Sequence, residues 1–456
     1  MKKLFKKNEI YTVRIEDITD LGFGVGHIEG CAIFVADTVM GDLVRVSIIK
    51  VNSGYLVGRM IELIEASEAR CTSRCTESGC RSCAYKNISY SDEALKKEEG
   101  VRRLFSRREL SVPVAKIITS PAETRYRNKA QYPIARVGGR YTVGFYAPKS
   151  HRVCPIEDCP LTPEVFSEIV ALCLSHFEKH SLSVYNEESG EGLLRHIYLR
   201  RGEVTGEILL TIVVTSFAFP HADELVASVR ERFPQVVGIL LNKNSEATNV
   251  ILGDEYKTLY GVPYIFDVLA GVRLKITAQS FYQVNRTACE LLYAKARDLA
   301  APTKADTVLD LYCGAGSIGL SMARDAGEVI GIEIVESAVE CAKENAVANG
   351  ITNASFFTGD AANTERLLEA AERKIGKRID PDVVILDPPR AGCAPELLSF
   401  VASREPKRIV YISCNPKTLA RDAELLAALG YKADTVYPVD MFPMTGHVES
   451  VVCLTR

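Results

Sequence analysis

The sequence has no apolar run approaching the ~18 residues that a membrane-spanning helix needs. Its basic start, Met1 to Lys7, is not followed by the apolar stretch of a secretory signal, so a cytoplasmic protein with no membrane partner is expected. Nor is there a surplus of positive charge: 55 Lys and Arg stand against 58 Asp and Glu, a net charge of −3. That balance excludes a wholesale basic nucleic-acid binder and leaves local patches open. Internal repeats and low-complexity tracts are absent as well. What remains is 456 residues, 47% apolar and 25% charged, enough for two to four domains at roughly 100–200 residues each. The 14 cysteines are no disulfide framework in a reducing compartment, so their placement matters more than their number.

Residues 1–68 read as a small β-barrel. Tyr11–Ile15 leads into the glycine-rich Leu21–Gly26, and Ala32–Val35, Leu43–Ile49 and Tyr55–Met60 follow with turn residues at short intervals. This stretch has no excess of bases over acids, so charge alone assigns it no nucleic-acid role. Residues 69–270 form a central α+β region. Four cysteines crowd its start, and between Leu95 and Arg152 there are 14 Lys and Arg against four Asp and Glu, a local net of +10, interleaved with aromatics. Within that segment, Lys96–Arg108 alternates acids with bases and reads as a solvated helical face, whereas Arg125–Arg140 is the better phosphate-binding candidate. Residues 193–215 alternate like a hairpin turning at Gly202 or Gly206. From residue 271 to 456, strands alternate with helices, which predicts a doubly wound parallel sheet.

The start of that last region carries a cofactor signature. Thr307–Leu311 runs as a buried strand into a turn with Gly314, Gly316 and Gly319, then a helix; glycines there let the backbone approach a ligand closely. The next strand ends in Glu333, suited to ribose hydroxyls, a feature that NAD and S-adenosylmethionine share. A third ends near Asp360, where an adenine would lie, and a fourth opens at Asp387 into Pro388-Pro389-Arg390-Ala391-Gly392, whose prolines freeze the loop. A fifth strand ends just before Cys414. Ligands of open parallel sheets bind at the carboxyl ends of the strands, so Cys414, Asp387, Glu333 and the glycine turn are expected to converge on one crevice. That convergence raises Cys414 above Cys313, Cys341, Cys393 and Cys453, which read as small packed hydrophobes, with Cys393 the next candidate nucleophile.

FYQVN (Phe281–Asn285), DLYCGAGSIGL, GIEIVESAV, ILDPPRAG, YISCNPKTLARD and DMFPMTGHVESV (Asp440–Val451) occur in this order. Together they make the chain resemble the RNA 5-methyluridine (uracil-C5) methyltransferases. The front of the chain resembles the branch that carries a TRAM barrel and an iron–sulfur site and acts on 23S rRNA. The resemblance implies a Rossmann-like methyltransferase domain using S-adenosylmethionine, with cofactor contacts at Gln283, Tyr312, Glu333 and Asp387, and also at Ser317 and Asp360. It implies a thiolate at Cys414 that adds to uracil C6, making C5 nucleophilic, and a base at Glu449 that removes the C5 proton; cysteine suits this role as nucleophile and leaving group. Burial between apolar neighbours would raise the Glu449 pKa and make it a better base. His447 reads as a packed neutral histidine, and Phe281 or Tyr282 offers a ring for stacking. A stacked or paired target uridine has to be flipped out, at a cost of roughly a few kcal/mol. The expected partner is RNA, 23S rRNA ahead of tRNA, bound by a monomer.

The resemblance also implies a [4Fe-4S] cluster on Cys75, Cys80, Cys83 and Cys159, four thiolates being what such a cluster requires. The spacing Cys75-x4-Cys80 is one residue shorter than usual in the family, and Arg81 and Ser82 replace the usual glycines, so Cys71 stands as a substitute first ligand. Cys154 is the lesser alternative to Cys159, and zinc on four thiolates the alternative metal. A radical S-adenosylmethionine enzyme would need C-x3-C-x2-C, which is lacking. An RNA cytosine-C5 methyltransferase would need a Thr-Cys-Ser context for its nucleophile, also lacking. A dehydrogenase would explain the glycine turn but not SCNP or HVES, and a non-catalytic RNA-binding module leaves the strand-end residues unexplained.

Overall fold

The computed structural model describes residues 5–456 apart from 76, 78, 109, 111, 148–149, 360–367, 370–371, 374–375 and 377. The expected adenine contact, Asp360, lies outside the described residues. Six strands open the chain: β1 (Ile10–Arg14), β2 (Asp17–Ile18), β3 (Phe23–Ile28), β4 (Cys31–Ala36), β5 (Leu43–Val51) and β6 (Tyr55–Glu65), in the order β1-β5-β6-β4-β3-β2. Alternate residues Val13, Ile33, Val35, Val44, Val46, Ile48 and Leu56 turn inward and form the barrel's own core.

A helix, α1 (Tyr90–Ser106), follows the cysteine-rich loop; Ser89 caps it by accepting from the Asp92 N–H. Ala94, Val101 and Phe105 on this helix pack with Leu309, Ile330 and Val384 of the C-terminal sheet, so by packing α1 belongs to that core. The expected solvated face of Lys96–Arg108 is corrected here. The Lys97 side chain is 1% exposed and bridges Glu93 and Asp440, each at 2.8 Å, because the apolar stripe of the helix faces the sheet and carries Lys97 in with it.

The central sheet contains β7 (Lys129–Val137), β8 (Arg140–Tyr146), β9 (Val153–Pro155), β10 (Leu194–Arg201), β11 (Ile208–Val214), β12 (Val236–Lys243) and β13 (Glu255–Gly261), ordered β13-β12-β11-β10-β7-β8-β9. β10 and β11 form the expected antiparallel hairpin. Nearly every residue in both is buried, since α2 (Glu164–Lys179) and α3 (Ala222–Arg232) cover one face and the hairpin β14 (Tyr264–Leu269)–β15 (Val272–Thr277) lies on the other. The expected division between residues 270 and 271 falls in the tight turn of that last hairpin, where Ala270 and Gly271 both have positive φ.

The C-terminal sheet follows α4 (Arg286–Ala300). Its strands are β16 (Thr307–Leu311), β17 (Glu328–Glu333), β18 (Ala354–Thr358), β19 (Val383–Leu386), β20 (Arg408–Ser413), β21 (Lys432–Ala433), β22 (Tyr437–Val439) and β23 (Glu449–Thr455). The order β18-β17-β16-β19-β20-β23-β21, with β22 also on β23, is that of a doubly wound sheet whose β23 runs antiparallel. Helices α5 (Ser317–Met322), α6 (Glu336–Ala348), α7 (Pro395–Ser403) and α8 (Pro416–Ala428) connect the strands. Val308, Val329, Val383 and Ile385 serve one apolar layer while Leu309, Ile330, Val384 and Leu386 serve the other, as a parallel sheet covered on both faces requires.

Candidate active site

Parallel register brings the chemistry to one edge. Leu311, Ile332 and Leu386 end neighbouring strands in register, so the turn after β16, Glu333 and Asp387 lie side by side. Ser413 pairs with Ser450 across β20 and β23, which sets Cys414, one residue beyond, against Glu449 at the start of β23. A cavity of about 830 Å³ is lined by Gln283, Tyr312, Gly314, Ser317, Glu333, Asp387, Cys414 and Glu449 together. Of the expected catalytic and cofactor-binding residues, Gly316 alone among those described is set back from this lining: at φ 79° it turns the chain into α5, and a Cβ there would meet the Phe356 ring at 3.0 Å.

The turn is held by its own acid. Gly314 N–H donates to Glu333 Oε2 at 3.0 Å and Val335 N–H to Oε1 at 2.9 Å, which orients the carboxylate at the mouth of the cavity. Gly314 has φ 54°, and a Cβ on it would meet nothing within 4 Å, so the backbone borders open space. Beneath the turn, Asp310 accepts from Gly319 N–H at 2.9 Å, and burial pushes its carboxyl up to about 8. Asp387 is half-buried in the cavity wall, and desolvation pushes its carboxyl up to about 7. A cavity holding a cushioned acid for hydroxyls and a second, unneutralised acid fits the ribose and the cationic sulfur of S-adenosylmethionine.

Cys414 stands at the amino end of α8, where Asn415 caps the helix and donates from Nδ2 to Arg390 O at 3.0 Å, tying the cysteine loop to the proline loop. Burial, then Glu449 and Asp387, raise the Cys414 thiol, while Arg390 opposes them. Glu449 is buried and pushed up to about 8 by desolvation and by Asp387, again opposed by Arg390. Arg390 is thus the cation that favours both charged forms. Sequence reasoning assigned it no role, although it stands inside the quoted DPPRAG loop.

The remaining candidates separate cleanly. Tyr282 is core, donating to Asp267 at 2.8 Å, whereas Phe281 is 74% exposed at the cavity rim. Burial lowers the His447 pKa, consistent with a neutral ring, which packs edge-on to Phe442. Cys393 is buried, and burial pushes its thiol up to about 12, which leaves Cys414 as the accessible sulfur. Of the basic segment, Arg125 is committed to Asp158 at 2.6 Å, while Arg127 and Lys129 line the catalytic cavity, Lys129 lowered by burial to about 8.

A second cavity, about 290 Å³, is lined by Cys75, Cys80, Cys83 and Cys159, and by Arg127 and Lys129, which it shares with the first. Burial and the neighbouring thiols push Cys83 up to about 12. Cys71 is not in its lining; neither is Cys154, whose thiol donates to Gly79 O at 3.0 Å. Among the described residues, no three of these sulfurs come within 4.8 Å of one another.

A doubly wound sheet that gathers a glycine turn, acids and a cysteine at one edge has the architecture of the S-adenosylmethionine-dependent methyltransferases. The chain belongs to the RNA uracil-5-methyltransferase family. Residues 238–456 match the tRNA (uracil-5-)-methyltransferase family and residues 5–61 the TRAM domain. Proteins described as uncharacterized RNA methyltransferases are similar nearly end to end. That of Clostridium acetobutylicum is 38% identical over 99% of this chain and 98% of its own, and that of Oceanobacillus iheyensis 39% over 98% and 97%. The tRNA (uracil-54, C5)-methyltransferase of Pyrococcus abyssi, solved with S-adenosyl-L-homocysteine, is 26% identical and superposes with a TM-score of 0.78, covering 97% of this chain and 99% of that one. Among the described residues, no helix is long and apolar enough to cross a membrane.

Proposed function

We propose that this RNA methyltransferase transfers a methyl group to C5 of a uridine in 23S rRNA, with Cys414 as nucleophile and Glu449 as base. The observation that carries this reading is the β20–β23 register, which sets a half-exposed thiol opposite a buried carboxylate in a cavity of nucleoside size. When bound, S-adenosylmethionine supplies an electrophilic methyl on a cationic sulfur. Gln283, Tyr312, Ser317, Glu333 and Asp387 would hold it, beside the Gly314 backbone.

The chain's own residues do the rest. Cys414 Sγ, its proton released to solvent through the groove that ends on it, adds to C6 of the flipped uracil, and the electron pair moves through C5 onto the C4 carbonyl. C5 then takes the methyl as the electron pair returns from the C4 oxygen, and the methyl's former bond to sulfur would break to leave the neutral thioether. Glu449 removes the C5 proton, the pair re-forms the C5–C6 double bond, and the Cys414 sulfur leaves. Arg390 stabilises the thiolate and the carboxylate that this sequence requires. Phe281, exposed at the rim, offers a stacking face for the extruded base.

Access for RNA is supported by a groove of about 640 Å³ that ends on Cys414, between the barrel, α1 and the start of α8. Arg81, Lys96, Arg103, Arg107 and Lys417 line it. We place a [4Fe-4S] cluster on Cys75, Cys80, Cys83 and Cys159, where it would pin the loop before α1. Four thiolates lining one cavity are what such a cluster takes, and zinc on the same four is the alternative that the test separates. Loss of a brown chromophore in Cys80→Ser checks the cluster, and a colourless zinc protein purified without oxygen would overturn it.

Cys414→Ala is expected to abolish methylation while cofactor binding survives, and Glu449→Gln to accumulate a covalent enzyme–RNA species. Retained turnover in the first, or only free enzyme with stoichiometric RNA in the second, would remove the assigned roles. The near-complete superposition on a tRNA-modifying enzyme favours tRNA as the second reading. Mapping 5-methyluridine in both RNAs from a deletion strain decides between them.

A further inference from the structure

Three of the chain's seven histidines gather far from the methyl-transfer cavity. His176 and His180 stand one turn apart at the end of α2, on one face of the helix. His221, at φ 57°, precedes α3, and Glu224 lies in its first turn. Their rings are packed: His176 and His180 have centroids 4.6 Å apart, and His221 stacks on His180 at 3.8 Å and 16°. One ligand atom from each of His176, His180 and Glu224 lies within 4.8 Å of the other two.

Two observations separate this group from an ordinary polar surface. His176 is 6% exposed, yet its Nε2 has no hydrogen-bond partner, an expensive condition for a buried polar atom. Glu224 is contested: His180 Nε2 lies 3.1 Å from Oε2, and the Lys179 ammonium is paired with Oε1. A positive charge is thus already drawn to this position. The combination of a buried imidazole nitrogen without a partner, a second imidazole and a carboxylate matches what a first-row transition-metal dication takes.

We propose that His176, His180 and Glu224 form a binding site for a transition-metal dication of the zinc type, clamping the end of α2 to the start of α3. His176 Nε2 and His180 supply imidazole nitrogens, Glu224 supplies a carboxylate oxygen, and water or His221 completes the shell. Bonds of about 2.0–2.1 Å require the three atoms to draw together to roughly 3.4 Å, a side-chain adjustment. Lys179 competes with the metal for Glu224 and has to swing aside.

The site is tested by calorimetric titration of the intact protein, its cysteine site loaded and oxygen excluded, with Zn²⁺ and separately with Ni²⁺. One equivalent is expected in the wild type, with affinity falling roughly tenfold or more in His180→Ala and in Glu224→Gln. The Glu224 side chain is accessible enough to spare the fold, His180 is more enclosed so its melting curve is recorded alongside, and methylation should be unchanged in each. Lys179→Met is expected to bind the metal more tightly than wild type, a gain that general destabilisation cannot produce. Equal affinity across all four proteins would place the metal elsewhere, and no saturable binding in any of them would overturn the proposal.

Discussion

At the scale of single residues, desolvation holds two carboxyls of the catalytic cavity toward their protonated forms. Asp387 and Glu449 are raised by burial to about 7 and about 8. A carboxyl whose folded pKa exceeds its unfolded value, about 4, contributes stability that is complete below pH 4 and is lost as the pH rises through the folded pKa. With S-adenosylmethionine removed, the enzyme should therefore lose stability progressively between about pH 4 and pH 8 and level off above that. Asp387→Asn imitates the protonated form at all pH values. It is expected to raise Tm at pH 8.5 by roughly 2–4 °C, the effect of ~1 kcal/mol in a domain of this size, and by much less at pH 5.5. The same variant should bind S-adenosylmethionine more weakly, with a smaller loss for S-adenosyl-L-homocysteine, whose sulfur carries no charge. A pH-independent change in Tm would mean that Asp387 is already ionised in the empty site.

At the scale of elements, α1 is joined to the catalytic segment through charge. Lys97 sits between Glu93 and Asp440, and also donates to Phe442 O at 3.1 Å, while Arg74 of the cysteine loop reaches Glu93 at 2.9 Å. One chain of contacts thus runs from the cysteine loop through α1 to the segment that leads into Glu449. Lys97→Met leaves the Asp440 charge uncompensated in a buried site and should cost about 3–5 kcal/mol, read as a shift of the urea midpoint. Leu95→Ser, on the exposed side of the helix, is the control and should change little. Equal midpoints for Lys97→Met and wild type would show that the network carries no net stability. This buried lysine was illegible in the sequence, where KKEE and RR look like any solvated face. Which side of an amphipathic helix is covered depends on what packs against it, here a sheet more than 200 residues away.

At the scale of the whole molecule, the barrel, α1 and the C-terminal sheet share one basic groove ending at Cys414. Charge reversal at Arg103 and Lys417, both solvent-accessible there, should weaken RNA binding without changing cofactor affinity. The slope of log affinity against log salt should fall by about 1 for each phosphate contact removed. An unchanged slope would take the RNA off this path.

The sequence by itself determined the local chemistry. The strand–glycine turn–helix–strand–acid series, the DPPRAG and SCNP loops and the order of the strands are written in short stretches, because backbone conformation at a turn depends on the residues in it. Parallel strands then have only one edge at which those stretches can meet, so the cluster of Glu333, Asp387 and Cys414 was legible before any coordinates. Three features were decided only by tertiary structure. The pairing of β23 beside β20 sets Glu449 across from Cys414. The stacking of central and C-terminal domains makes Arg127 and Lys129 a shared wall between the cysteine cavity and the catalytic one. The covering of α1 turns Lys97 from surface to core. Each depends on contacts between residues far apart in the chain, where burial and desolvation set both geometry and charge state, and no local pattern records what a distant segment will cover.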